Sequence, residues 1–296
     1  MGFSSVDDMI SEMTTGGKTW RQDFYKITSG TWAAGRWYDL STFAGSPVAN
    51  TYPGTALAAV APDESTGWGL YHGGNVSTDT KHLMNVMAVA NAATGVPAVM
   101  MLVDVCLYYP DIAFNSATRQ TLNNTNTLTR YTDGVGLRSY VMVDAATGAT
   151  AHNLDSGAGT GTEYVDTNDA TSVHPGTISF TASAIQGHIA HSGTAANNTG
   201  AFLPLAAGDV GVKKYNYFKL SASSTGGATA GNLVICKPLA TLPITTLNVA
   251  AERDLVNQLA SMPRIRDGAC LNWLVFVGGA TAANTVFQGA VESAWG

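Results

Sequence analysis

Apolar and polar positions alternate with a period of two along most of this chain, a pattern that predicts strands rather than helices. The strongest stretch runs from Val99 to Tyr109, almost continuously apolar, rich in β-branched and aromatic residues and bounded by Pro97 and Pro110. Such a run reads as a strand buried on both faces. A second run, Arg130 to Val143, puts Leu137, Val141 and Val143 on one face and Arg138, Tyr140 and Met142 on the other. The two are expected to be central strands of one sandwich. Lys81 to Asn91 reads as a strand that enters the first run through a hairpin connection over Ala92–Pro97. Ile178 to Ile185 and Phe202 to Leu205 continue the strand pattern. Val212 to Ala222 sets Val212, Phe218 and Leu220 against Lys213, Tyr215, Tyr217 and Lys219. Leu271 to Val277 is apolar on both faces, and Phe287, Gly289, Val291 and Trp295 share one face of a last strand. About eight to ten strands with few helices predict a mainly β chain, a β-sandwich of the jelly-roll kind.

A helical period occurs in two short places. Ser5 to Met13 carries Val6, Met9, Ile10 and Met13 on one stripe, with Ser5 and Asp8 as a capping pair and Gly16-Gly17 as the stop. So short a helix is marginal alone, so its stripe must dock on its own domain or on a neighbouring subunit. Glu252 to Leu259 reads as a second short helix ending before Pro263. Between the first helix and Asp63 the chain is loop-like and aromatic. Nine of the 26 aromatic residues fall in the first 60 positions, which points to a contact arm or to rings closing one end of the sandwich. The expected division is therefore 1–63, helix and aromatic arm, and 64–296, a β-sandwich with an exposed polar loop at about 144–176. The candidate contact residues are Val6, Met9, Ile10, Met13, Trp20, Trp32 and Trp37.

Composition narrows the function classes. Charged residues make up 12%, about half of the usual ~25%, and neutral polar residues replace them. That surface suits a protein packed against copies of itself or a partner. The net charge of −6 without a long basic run argues against a nucleic-acid platform. The first residues lack the basic and apolar regions of a secretory signal, and no apolar run approaches ~20 residues, so no membrane partner is expected. Cys106, Cys236 and Cys270 form an odd, widely spaced set that fits buried thiols folded in a cytoplasm.

Candidate chemistry is sparse. His188 and His191 stand three apart with no acid between them, unlike the zinc-binding helix pair. His72, His82, His152 and His174 lie in loop-like sequence. Gly157 to Glu163 is glycine-rich without the Lys-Ser/Thr of a phosphate loop. Asp104 and Asp111 could be drawn as a glycosidase pair, as could carboxylates in any chain this long. Asp104 interrupts an apolar strand, so it needs a partner, and Arg138 in the other central run is the expected one. Hence no catalytic residue, cofactor or metal is expected. The Tyr215 and Tyr217 face could stack on a sugar.

Five runs carry a family likeness: Gly35-Arg36-Trp37-Tyr38-Asp39-Leu40, Asn50-Thr51-Tyr52-Pro53-Gly54, Tyr71-His72-Gly73-Gly74-Asn75-Val76-Ser77, Arg130-Tyr131-Thr132-Asp133-Gly134 and Leu271-Asn272-Trp273. In these the chain resembles virion structural proteins of tailed bacteriophages, of the capsid decoration or cement kind. The likeness runs over most of the chain and fits least from Asp144 to Gly176. It implies a β-rich, non-enzymatic protein made in the host bacterium and held on the capsid surface. Its implied partners are the major capsid protein and copies of itself, as a homo-oligomer such as a trimer. The alternatives are a tail or baseplate component and, from another class, a carbohydrate-binding β-sandwich.

Overall fold

Helix α1 (Val6–Thr14) begins where the sequence places its cap: the Ser5 side chain accepts the Asp8 N–H at 3.0 Å. Asp7 and Asp8 in the first turn suit the positive end of the helix dipole. In the computed structural model, the residues described are 2–92, 95–144, 161–174, 178–179, 185–192, 200–223, 230–257 and 262–296. Among them, besides two single-turn 3-10 helices at Leu40–Thr42 and Glu64–Thr66, the other regular elements are strands. In chain order these are β1 (Thr19–Ile27), β2 (Arg36–Asp39), β3 (Ala44–Ser46), β4 (Lys81–Ala90), β5 (Ala98–Ala113) and β6 (Gln120–Thr121). Then follow β7 (Arg138–Val143), β8 (Glu163–Val165), β9 (Thr171–Val173), β10 (Ile178–Ser179), β11 (His191–Ser192) and β12 (Lys214–Phe218). The last are β13 (Ala230–Ile244), β14 (Ala251–Asp254), β15 (Arg264–Ile265), β16 (Leu271–Val277) and β17 (Val286–Trp295).

Two large antiparallel sheets make the sandwich. The first has the order β14-β4-β17-β1-β3, with β15 also on β4; the second has the order β2-β16-β5-β13-β7. A third, smaller sheet runs β6-β12-β8-β9, and β10 pairs with β11. The second sheet is the spine, because its long strands β5 and β13 serve two cores at once. Near one end, Met100, Leu102, Leu242 and Ile244 pack against Phe24, Val86 and Phe287 of the first sheet. Near the other, Leu107, Tyr109, Leu233 and Ile235 pack against Tyr164, Tyr215 and Phe218 of the third. Met100 and Leu102 of β5 face the first core, whereas Leu107 and Tyr109 face the second, a change of parity along one strand. The change of phase comes from a register shift that leaves Cys106 unpaired between Leu107↔Ile235 and Val105↔Cys236. A matching shift at Leu239, between Pro238 and Ala240, brings β13 through the same change. Its far face is covered as well, with Trp37, Tyr52 and Trp68 over Val103, Val105 and Val234.

The mainly β architecture of the sequence reading stands, and several local expectations are corrected. Strand β4 joins the first sheet and β5 the second, so the two are not a hairpin pair. The Val99–Tyr109 run is central, whereas β7 lies at the end of its sheet's strand order, paired with β13 and bridged on its other side through Met142 to Ile189. Residues 251–254 are the strand β14 against β4 rather than a helix. Phe202–Leu205 is not a strand; Leu203 N–H instead caps onto the Ser139 carbonyl at 2.7 Å. The described part of the polar loop, 161–174, forms β8 and β9 and buries Tyr164 and His174. Residues 145–160 and 175–176 of that loop, including His152 and most of the glycine run, lie outside the described residues.

Candidate interaction face

The seven contact candidates separate into exposed, half-buried and core residues. Helix α1 docks on the outer face of the first sheet by seating Met9 against Met84 and Ala294, with Phe3, Met13, Val256 and Met262 around them. Burying Met9 contributes about 2 kcal/mol, enough to hold a helix that has little stability of its own. The stripe is broader than the seat, so Val6 stays 62% exposed and Ile10 50% exposed. Trp20 is 37% exposed at the edge of β1. Its ring meets Tyr71 edge-on at 5.3 Å, and its Nε1–H donates to the Tyr71 carbonyl at 3.0 Å. Trp32 and Trp37 are not on an arm. Trp32 is fully buried between Tyr38, stacked at 4.1 Å, and Phe287 at 5.8 Å. Trp37 is buried beside Phe276 on the far side of the spine sheet. Both belong to strands or loops woven into the two sheets, as does β1, so the aromatic segment is core rather than appendage.

Beyond the helix, the outer face of the first sheet is open, and its register defines three rows. The first aligns Asp254, Asn85, Glu292 and Arg21; the second Glu252, Met87, Ala290 and Asp23; the third Val89, Gln288, Tyr25 and Ser46. Arg21 spans Asp23 at 3.0 Å and Glu292 at 2.7 Å, and Asn85 donates to Glu252 at 2.7 Å. Tyr25, Met87, Val89 and Gln288 line an open groove of about 440 Å³. The charge of the face is lopsided. Helix α1 has Asp7, Asp8 and Glu12 with no base, and Lys18 is spent between Glu12 and Asp79. With the four carboxylates of the rows, eight acids face three cations, Lys18, Arg21 and Arg264, a surplus of five among the described residues. At the α1 border, Arg264 stands opposite His82.

Several buried polar groups are held in hydrogen-bonded knots within the fold. Asp104 is fully buried, and its partner is Arg130 rather than Arg138. Arg130 Nε donates to both carboxylate oxygens at 3.0 and 2.8 Å and its Nη2 to Oδ1 at 2.6 Å, while the Cys270 N–H adds 2.9 Å. Arg138 sits one strand too far away: β13 separates β7 from β5, and the Arg138 guanidinium instead reaches the Leu203 carbonyl and the Phe202 ring. A second knot joins Asp39 Oδ2 to the hydroxyls of Tyr52 at 2.5 Å and Tyr140 at 2.9 Å. Burial raises both phenols well above their usual range, so they remain donors. Lys26 Nζ is buried among the carbonyls of Phe43 at 3.1 Å and Pro47 at 2.7 Å, and burial lowers its pKa to about 8.

His72 lies between the Lys81 ammonium, 3.1 Å from Nδ1, and Glu64, 2.8 Å from Nε2. Burial, then the Lys81 charge, holds its pKa down to about 4. His174 Nδ1 faces the Pro204 carbonyl at 2.6 Å and Nε2 faces the Tyr215 hydroxyl at 2.5 Å, with burial again holding it at about 4. Among the described residues no three His, Cys, Asp or Glu side chains converge as metal ligands. The Tyr215 sugar face is corrected too. A register shift between Tyr215 and Tyr217 turns Tyr215 into the core, and Tyr217 lies under the Arg119 guanidinium at 3.4 Å. The sequence reading missed the groove rows, which needed the β4–β17–β1 pairing, and missed Lys26 and Lys81, although their strand parity with Phe24 and Leu83 carried the signal. No protein-family model, no curated protein and no solved structure matches the chain.

Proposed function

We propose that this chain is a non-enzymatic virion structural protein of a tailed bacteriophage, a decoration or cement protein that binds the major capsid protein on the shell surface and stabilises it. The family likeness of the five sequence runs supports the reading, and one observation of geometry carries it. The α1 stripe is only half used by its own fold: Met9 is seated while Val6 and Ile10, one turn apart, remain 62% and 50% exposed. A solvent-facing apolar pair on a docked helix is a surface prepared for a partner. Symmetry then multiplies a small contact, since a shell presents the same site many times.

The test is the double variant Val6→Asp/Ile10→Asp, mixed with phage particles stripped of the protein and sedimented. Both side chains are solvent-facing, so the variant folds and keeps the wild-type melting temperature. Capsid binding is expected to fall at least about tenfold, the loss of roughly 1.4 kcal/mol or more of apolar contact. Undiminished co-sedimentation would remove the helix from the contact. Deleting residues 1–40 is not an equivalent test, because it strips β1 and β2 from the two sheets.

A further inference from the structure

We infer that the open outer face of the first sheet, beside α1, is the docking site for a second copy of this chain, which enters with its own cationic surface around Tyr131. The inference deepens the proposed function, resting on its reading of this face as a contact surface, and it names a different partner for the rows beyond the helix. Two observations meet. The face is grooved, and among the described residues its rows beyond the helix carry four carboxylates, Asp23, Glu252, Asp254 and Glu292, against one cation, Arg21. The complement is on the same molecule. Tyr131 carries the Arg266 guanidinium over its ring at 4.9 Å and the Lys237 ammonium at 5.7 Å, and its hydroxyl reaches the Arg264 carbonyl.

The turn that follows Tyr131 presses on Lys213, whose Cγ would lie 2.8 Å from a Cβ at Gly134. Next to it, Lys213 and Lys214 line a cavity of about 280 Å³. Four cations, Arg266, Lys237, Lys213 and Lys214, therefore gather here against Asp133 and Asp169. Asp133 is engaged by the Val135 N–H, and Asp169 takes one contact from Lys213 at 2.8 Å.

The chain thus holds its negative surplus on one face and a cluster of its cations on another, with Arg264 at the border between them. In a homo-oligomer each acidic face can meet a neighbour's cationic cluster, and the contact repeats by symmetry until it closes. Like patches repel, so the same charges exclude a face-to-face pairing of the two acidic surfaces.

Sedimentation velocity on the protein alone tests this without any capsid, so its failure leaves the capsid reading standing. At about 0.1 M salt and on the order of 10 µM protein the wild type is expected to be oligomeric, and at about 1 M salt, where screening shortens to about 3 Å, to dissociate. Asp23→Lys breaks the acidic face and Arg266→Glu the cationic cluster, both at solvent-facing positions, and each alone should be monomeric. Mixed in equal amounts, the two variants should re-associate, because each supplies the surface that the other lacks. A monomeric wild type at low salt, an oligomer indifferent to salt and to both variants, or a mixture that stays monomeric would each overturn the inference.

Discussion

Removing Arg130 gives the sharpest view of what holds the spine of this fold. Among the described residues, Arg130 supplies the side-chain hydrogen bonds to the buried Asp104 carboxylate, through Nε and Nη2, and also donates through Nη1 to the Pro62 carbonyl at 2.9 Å. In Arg130→Ala the carboxylate keeps, among the described residues, the Cys270 N–H, and the Pro62 and Val105 carbonyls each lose a donor. An uncompensated buried charge of this kind costs about 3–5 kcal/mol. At roughly 2.1 cal/mol/K per residue, a chain of 296 residues unfolds with an entropy of about 0.6 kcal/mol/K, so the melting temperature should fall by about 5–8 °C. Arg138→Ala, whose guanidinium touches one carbonyl at 3.5 Å and the Phe202 ring, should cost about 1 kcal/mol or less. Replacing both partners, Asp104→Leu with Arg130→Met, should recover much of the loss, since neither charge is then stranded. Urea unfolding followed by fluorescence measures all three. An Arg138→Ala cost equal to that of Arg130→Ala, or an Arg130→Ala cost under about 1 kcal/mol, would refute the assignment.

Three further outcomes follow from the core. His72 and His174 are held at about 4 in the folded protein, below the ~6.5 of the unfolded chain, so the unfolded state takes up their protons first. Their contribution is whole above pH ~6.5 and is lost as the pH falls towards 4, with a slope approaching about 2.7 kcal/mol per pH unit for the pair; His174→Gln should remove about half of that slope in denaturant titrations. Trp32→Ala should cost about 3–5 kcal/mol because it empties a stacked core site, whereas Trp20→Ala should cost about 1 kcal/mol, as calorimetry would separate. Lys26→Met leaves the Phe43 and Pro47 carbonyls without their donor and should destabilise by about 1–3 kcal/mol, visible as a lower urea midpoint.

How much was legible in the sequence depended on whether the signal was local. Ser5, Asp8 and the Val6–Met9–Ile10–Met13 stripe placed α1 to within a residue, because capping and a helical period are read within one turn. The apolar Val99–Tyr109 run announced the spine strand for the same reason. What failed was pairing. Nothing in the sequence says that β13 inserts between β5 and β7, and that insertion alone moves the partner of Asp104 from Arg138 to Arg130. Register shifts were equally hidden. The bulge after Tyr215 turns an apparently outward tyrosine into the core, and the one at Cys106 lets a 16-residue strand serve two cores. The aromatic segment misled because rings signal burial as readily as recognition: Trp32 and Trp37 fill the protein's own interior while Trp20 does not. The interaction face was legible only at the helix, since its rows come from β14, β4, β17 and β1, which are far apart in sequence.

The central claim is that this protein works by occupying repeated sites on a shell, and one titration addresses it most directly. Purified protein is added in increasing amounts to phage particles stripped of it, the particles are sedimented, and the bound protein is counted against the major capsid protein. The account predicts co-pelleting that saturates at a fixed ratio to the capsid subunits, together with greater resistance of the decorated particles to heat. A folded protein that stays in the supernatant at every concentration would contradict it.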